Sequence, residues 1–407
     1  MSSYIFYPTK KTIKTKFTAF IKYRFLIPLK NFHVWIFFSD GHWVFHDCSK
    51  NELINEGKVE GDTSKLIDLV KAPRAIDEER IIFANCTNFK LECLNPYTGK
   101  LDASWTGDAP TLETLPLSDR SNDNKVADAF NDLEIEVLMK SKYVGMIERR
   151  ETNQGNADYL LTVYQQGAKE RVAQVIHNAQ QKQMNLGKGN EEDTFILWTP
   201  YQSGSFQFSY FNINQKEQGL KHINVQQNIN TTILNGFPWD SNVITFFGNA
   251  DASGVPEQYL YDFSKGEIRT LPMSYYPEGK DTLMSDVIAA DPEKKRVLIT
   301  EVVDTLNVVL YNAKTNKADF LKEQTENGVY AASIDGRYFV EYDGVLSGEE
   351  NPNAPGETVI SINSLVNKKM FMLYFMKHAK AKNGKNFLEF YGNPYIAKHV
   401  AEMLSAQ

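Results

Sequence analysis

An all-β fold made of repeated four-stranded units is what this sequence predicts, and three observations predict it. The apolar runs are short and rich in aromatic and β-branched residues, with 20 Tyr and 25 Phe in 407 residues, which is the composition of strands. A turn of Asn, Asp, Gly and Lys recurs along the chain, each copy closing one apolar run and opening the next. The copies are spaced by a period near fifty, which suits a unit of about four short strands.

The turn is plainest in Leu94-Asn95-Pro96-Tyr97-Thr98-Gly99-Lys100. Leu260 to Gly266 and Leu310 to Lys317 repeat it, and Phe45 to Lys50 and Tyr210 to Lys216 are weaker copies. Tyr164 to Lys169 and Ile362 to Lys368 are degenerate ones. Its chemistry is local: Asn and Asp side chains accept from backbone amides two residues on, and Gly or Asn takes the positive φ of a tight hairpin. The last strand residues are 45, 94, 164, 210, 260, 310 and 362, so the spacings are 49, 70, 46, 50, 50 and 52. Seven units give a seven-bladed β-propeller. Eight would follow if the long gap hid a further blade around residues 105–150.

Within the sixth unit, Asp286 to Ala290 reads as the inner strand, Arg296 to Thr300 as the second, Thr305 to Tyr311 as the third and Ala318 to Leu321 as the fourth. The next unit restarts at Val329 to Ser333 and continues at Tyr338 to Tyr342. This order of strand, Asp291-Pro292-Glu293-Lys294-Lys295 or Asp335-Gly336-Arg337 turn, strand and Asx turn resembles the blades of WD40-like, TolB-like and YVTN-like propellers over residues 31–376. No single family's signature is complete. The Trp-Asp ending and Gly-His opening of true WD40 blades are missing at the matching positions.

Three regions follow: a basic segment over 1–30, the propeller over 31–392, and a C-terminal amphipathic helix over 393–407. Ile396, Val400 and Leu404 give that helix its apolar stripe. The 1–30 segment reads as a leader or as a strand that closes the ring, because a propeller pairs its open edge with the far terminus. Polar stretches at 105–130, 178–193 and 346–357 read as long loops, where binding surfaces concentrate.

Charge is divided unevenly. The first acid is Asp40, and the stretch before it carries Lys10, Lys11, Lys14, Lys16, Lys22, Arg24 and Lys30. The remainder holds 37 bases against 51 acids, a net −14 within the overall −7. An acidic body repels nucleic acid. The basic start, interleaved with aromatics, would meet an anionic membrane surface or serve as an organelle-targeting segment. No run of 18 apolar residues is present, so no spanning helix is expected. The three cysteines, Cys48, Cys86 and Cys93, make no CxxC pair and no expected disulfide, and their scarcity fits a cytoplasmic protein.

Catalytic signatures are sparse. There is no GxSxG elbow, no complete phosphate loop around Gly187-Lys188-Gly189, and no HExxH or CxxC zinc motif. His33, His42 and His46 form the one histidine cluster; His42 and His46 share a strand face but lack a third ligand at matching spacing. Asp286, Asp335 and Asp128 are candidates for one mouth of the channel. No catalytic residue, cofactor or metal is therefore assigned. The expectation is a non-enzymatic interaction platform or complex subunit binding another protein. Its candidate contact residues are Trp105 and Trp198 beside the loops and Lys10, Lys11, Lys14, Lys16, Lys22 and Arg24 in the basic start. An enzyme or small-ligand binder using the central channel, and a membrane-associated component held by residues 1–30, are the alternatives.

Overall fold

The computed structural model describes residues 10–13, 23–38, 41–59, 69–88, 90–102, 107–108, 134–139, 142–151, 157–165, 171–179, 185–188, 192–198, 201–202, 206–225, 231–239, 243–249, 256–262, 265–272, 283–291, 295–302, 306–325, 329–333, 336–344, 357–364, 369–380 and 386–392. Strand β1 (Lys10–Ile13) comes first. The first sheet holds β2 (Tyr23–Pro28), β3 (His33–Phe38), β4 (His42–Asp47) and β5 (Glu52–Lys58). The second holds β6 (Val70–Ala75), β7 (Ile81–Asn85), β8 (Lys90–Asn95), β9 (Lys100–Leu101) and β10 (Gly107–Asp108). The third holds β11 (Glu134–Met139), β12 (Tyr143–Glu151), β13 (Ala157–Gln165) and β14 (Arg171–Ala179). In the fourth are β15 (Asn185–Lys188), β16 (Thr194–Trp198), β18 (Phe206–Asn212) and β19 (Lys221–Val225). The fifth combines β17 (Tyr201–Gln202) with β20 (Thr231–Pro238), β21 (Val243–Asn249), β22 (Pro256–Asp262) and β23 (Glu267–Pro272). The sixth holds β24 (Leu283–Asp291), β25 (Arg296–Val302), β26 (Leu306–Asn312) and β27 (Lys317–Thr325). The seventh runs β28 (Val329–Ala332), β29 (Tyr338–Gly344), β30 (Glu357–Ser364), β31 (Met370–Lys380) and β32 (Asn386–Gly392), with β1 on its outer edge.

Among the described residues the strands thus form seven antiparallel sheets. The innermost strands touch in a closed cycle: β2 meets β6, β6 meets β11, then β15, β20, β24 and β28 follow, and β28 returns to β2. The fold is a β-propeller. All seven residues that mark the sequence repeat lie in the third full-length strand of a separate sheet, on β4, β8, β13, β18, β22, β26 and β30.

The repeat works as its chemistry predicts. Asp47 Oδ1 accepts from the amides of Ser49 and Lys50. Asn95 Oδ1 accepts from Tyr97 and Thr98, and Asn312 Oδ1 from Lys314 and Thr315. In four of the turns the backbone is left-handed four residues after the strand-ending Asp or Asn: Asn51 at φ 59°, Gly99 at 70°, Gly266 at 65° and Asn316 at 55°. In those four turns the position holds Gly, which has no Cβ to clash, or Asn, whose short polar side chain tolerates the left-handed region.

A second tie joins this turn to the one between the first two strands. Cys48 N donates to Phe32 O, Ile213 N to Asp193 O and Ala313 N to Lys295 O. Phe32 and Lys295 are themselves left-handed, at φ 62° and 54°. The second sheet breaks the rule, because its equivalent residue is Pro96, which has no amide hydrogen to donate.

Burial is continuous along the middle strands and falls off at the outer one. β3 and β4 are buried along nearly their whole length and β7 along all of it, while the outer β5 is mostly exposed or half-exposed. Each sheet is sandwiched between two neighbours, so its middle strands have no solvent face and read as continuous apolar runs. The 70-residue gap contains β10, which pairs with β8 in the second sheet, and β11, which opens the third. Residues 109–133 between them lie outside the described residues, as does the expected helix over 393–407. β1 pairs with β32, with Lys10 opposite Tyr391 and Lys11 opposite Phe390.

Candidate functional site

Strand direction divides the ring into two faces. One face carries the turns between first and second strands and between third and fourth strands; the other carries the remaining connections. On the first face the turns of neighbouring sheets are fastened to one another. Lys30 Nζ reaches Glu79 at 2.8 Å and Glu78 at 3.5 Å. Lys142 N donates to Glu192 Oε1 at 2.6 Å. Lys295 Nζ lies 5.8 Å from the centre of the Trp239 ring, a cation–π distance. The Phe32 ring packs edge-on against Tyr338 and Phe371 of the seventh sheet, at 5.1 and 4.7 Å.

A polar cluster on this face lies at the junction of the first and second sheets. His33 opens β3 and Asp47 closes β4, and antiparallel pairing sets them opposite each other. His33 Nε2 faces Asp47 Oδ2 at 3.4 Å. Its Nδ1 lies 2.8 Å from the hydroxyl of Tyr97, in the second sheet's turn. Asn55 Nδ2 donates to Pro96 O at 3.1 Å and fixes that turn from the first sheet. The Tyr97 ring packs edge-on against Phe45 and His33, with Lys30 Nζ 5.9 Å from its centre. Beneath lies an apolar layer in which Trp35 stacks on Phe37 and Phe83.

Burial sets the electrostatics. It holds His33 below the ordinary histidine value, with Asp47 opposing. It pushes the Tyr97 phenol up to about 12. Burial also pushes Asp47 upward, but bonds from Ser49 and Lys50 and the nearby His33 outweigh it and leave the carboxyl low. The hydrogen bond to Glu79 raises Lys30. At neutral pH the cluster is therefore a neutral imidazole between a carboxylate and a phenol, flanked by two lysines.

Histidine positions refine the expected cluster. His46 is buried on β4 and brought down to about 4 by that burial, whereas His42 is only half-buried. The partners of His33 prove to be Asp47 and Tyr97. Among the described residues no three His, Cys, Asp or Glu side chains converge to hold a metal. Cys48, Cys86 and Cys93 are buried and not joined by disulfides. Asp286 lies on the inner strand β24, while Asp128 and Asp335 lie outside the described residues.

The expected contact residues fall in different places. Trp198 lies on β16, the second strand of its sheet, with its backbone paired to Asn185 and Phe208. Arg24 lies on the inner strand β2, and Lys10 and Lys11 on the outer strand β1. Trp105, Lys14, Lys16 and Lys22 lie outside the described residues.

The strand ends that bracket 59–69, 109–133, 180–184, 226–230, 273–282 and 326–328 between sheets, and 345–356 between β29 and β30, open on the opposite face. One connection there crosses a junction: β17, between β16 and β18 of the fourth sheet, pairs with the start of β20 in the fifth. Among the described residues no helix is long and apolar enough to cross a membrane.

No protein-family profile matches the chain, and no curated protein matches it in sequence. Solved structures similar to it include hydrazine synthase of Kuenenia stuttgartiensis, at 9% identity and TM-score 0.46, covering 88% of this chain and 97% of that one. The β-propeller domain of the trilobed protease of Pyrococcus furiosus, described as having an open velcro topology, is another. It is 11% identical, with a TM-score of 0.47, and the match covers 86% of this chain and 98% of that domain.

Proposed function

We propose that this propeller is a non-enzymatic interaction platform that docks another protein on the face carrying its long connections. The observation that supports the reading is the division of labour between the two faces. One face spends its charged and aromatic turn residues on neighbouring sheets, at Lys30–Glu79, His33–Tyr97, Lys142–Glu192 and Trp239–Lys295. The strand ends bracketing 109–133 and 345–356, the two longest connections, both open on the other face. Binding surfaces concentrate in long connections held by a rigid frame. The aromatic Trp105, just before 109–133 in the sequence, is the first candidate anchor.

The test is affinity purification from the native host, repeated with 109–133 and 345–356 each replaced by a short Gly-Ser linker. A stoichiometric partner recovered by the native chain and lost from a linker variant that keeps its melting transition is the expected result. Equal recovery by both variants would place the contact elsewhere, and a chain that elutes alone and monomeric would overturn the reading.

A further inference from the structure

We propose that Asp47, His33 and Tyr97 form a proton-sensitive latch between the first and second sheets, closed when the imidazole is neutral and loosened when it takes up a proton. The geometry fixes the starting state. A carboxylate accepts only, so the nitrogen facing Asp47 at 3.4 Å, Nε2, carries the hydrogen. Nδ1 is then the acceptor, and the Tyr97 hydroxyl donates to it across the junction at 2.8 Å. A solvent proton can bind only at Nδ1. Once it does, that nitrogen becomes a donor and the phenol must turn its own hydrogen away.

Every charged group around the ring bears on the outcome. Asp47 favours the imidazolium, but its carboxylate also accepts from Ser49 and Lys50 in its own turn and pairs with Lys50 Nζ at 3.4 Å. Lys30, on the turn leading into His33, and Lys50 oppose the new charge. Glu78 and Glu79 of the second sheet reach the cluster through Lys30. His46, on the same strand as Asp47, is a further histidine close enough to interact with His33. The Phe45 and Tyr97 rings cover the remaining sides. The other polar ties of the second sheet's turn to the first are those of Asn55 Nδ2 to Pro96 O and Tyr97 O; Pro96 has no amide to give its own inner turn, which is joined to the hairpin farther out by Arg80 and Asp102. Protonating His33 therefore acts on one of the few bonds that hold this turn to its neighbour. The latch does not depend on what the ring binds.

The experiment is NMR of the full chain labelled with 15N-histidine, titrated from about pH 7.5 to about pH 5, with His33→Gln to assign the resonance and Tyr97→Phe to remove the donor. The expected result is an Nε2–H tautomer at the upper pH and a midpoint below the ordinary 6.5. Tyr97→Phe, which withdraws support from the neutral ring, should raise that midpoint by about half a unit or more. Hydrogen exchange supplies a second readout. Protection of the Tyr97, Thr98 and Gly99 amides, corrected for intrinsic rates, should fall about ten-fold over the same range in the native chain and stay level in His33→Gln. An Nδ1–H tautomer, a midpoint unmoved by Tyr97→Phe, or the same loss of protection in His33→Gln would overturn the proposal. If Tyr97→Phe fails to fold, the native tautomer and the exchange comparison decide.

Discussion

Two junctions of the ring solve the same packing problem with different chemistry. Between the fifth and sixth sheets, Phe247 meets Val297, Ile299, Val309 and Tyr311 in a buried apolar layer. Tyr311 is fully buried, and its hydroxyl donates to Asn316 within its own sheet. Between the first and second sheets an apolar layer also exists, but the tyrosine at its rim sends its hydroxyl to a histidine of the neighbouring sheet. The first arrangement, among the described residues of its layer, is built from apolar side chains and a phenol; the second includes an imidazole, whose ordinary value lies near 6.5. Shape complementarity alone can close a ring, so a polar junction marks a place where the hold between sheets depends on conditions.

The comparison is broken most forcefully from the apolar side. Phe247→Ala should cost about 3–5 kcal/mol by cavity formation, read as a lower denaturant midpoint of equal size at neutral and mildly acidic pH. A loss that grows with acidity would mean that the apolar junction is coupled to a titrating group after all.

The first sheet should show the opposite behaviour. Burial brings His46 from 6.5 to about 4, so the folded state favours the neutral ring. Its stabilising contribution is complete above 6.5 and is lost as pH falls towards 4. The loss amounts to about 3 kcal/mol at 1.36 kcal/mol per unit. His46→Gln should flatten the pH dependence of unfolding across that window. An unchanged slope would assign acid sensitivity to other groups.

The smallest effect compares one turn position in the two regions. Gly99, at φ 70°, has Asn55 Nδ2 only 3.0 Å from where a Cβ would sit, and Asn55 is the side chain that holds Pro96. Gly99→Ala should cost about 1–2 kcal/mol through backbone strain and displacement of that amide. The sixth sheet places Asn316 at the same position, at φ 55°. Asn316→Ala should cost a similar amount of strain and also strand the buried Tyr311 hydroxyl, so it should be the worse of the two by thermal melting. Equal costs would show that the Tyr311 bond contributes nothing.

The repeat was legible in the sequence because its physics is local. Asp47, Asn95 and Asn312 each bond to amides two and three residues on, so spacing along the chain carries the whole signal. The strand order followed from it, and β24 to β27 lie where the apolar runs put them. The polar junction was not legible. His33 and Tyr97 are 64 positions apart, and only ring closure brings them together. Histidines 42 and 46 share a strand face at a spacing that suits metal ligands, while the decisive partner of His33 is a turn tyrosine that reads as ordinary turn composition. Pro96 was the one available signal: proline where the repeat otherwise supplies an amide donor.

That proline has a mechanical meaning. In the first, fourth and sixth sheets an amide after the strand-ending Asp or Asn fastens the outer hairpin to its own inner turn, so each of those sheets is braced from within. The second sheet lacks that amide: Arg80 Nη1 reaches Asp102 Oδ2 at 3.3 Å between its inner turn and its outer hairpin, and the turn itself leans on the neighbouring sheet through Asn55 and His33. Opening the first sheet should therefore loosen the turn at 96–99 of the second, and the two should exchange those amides as one cooperative unit within an otherwise modular ring.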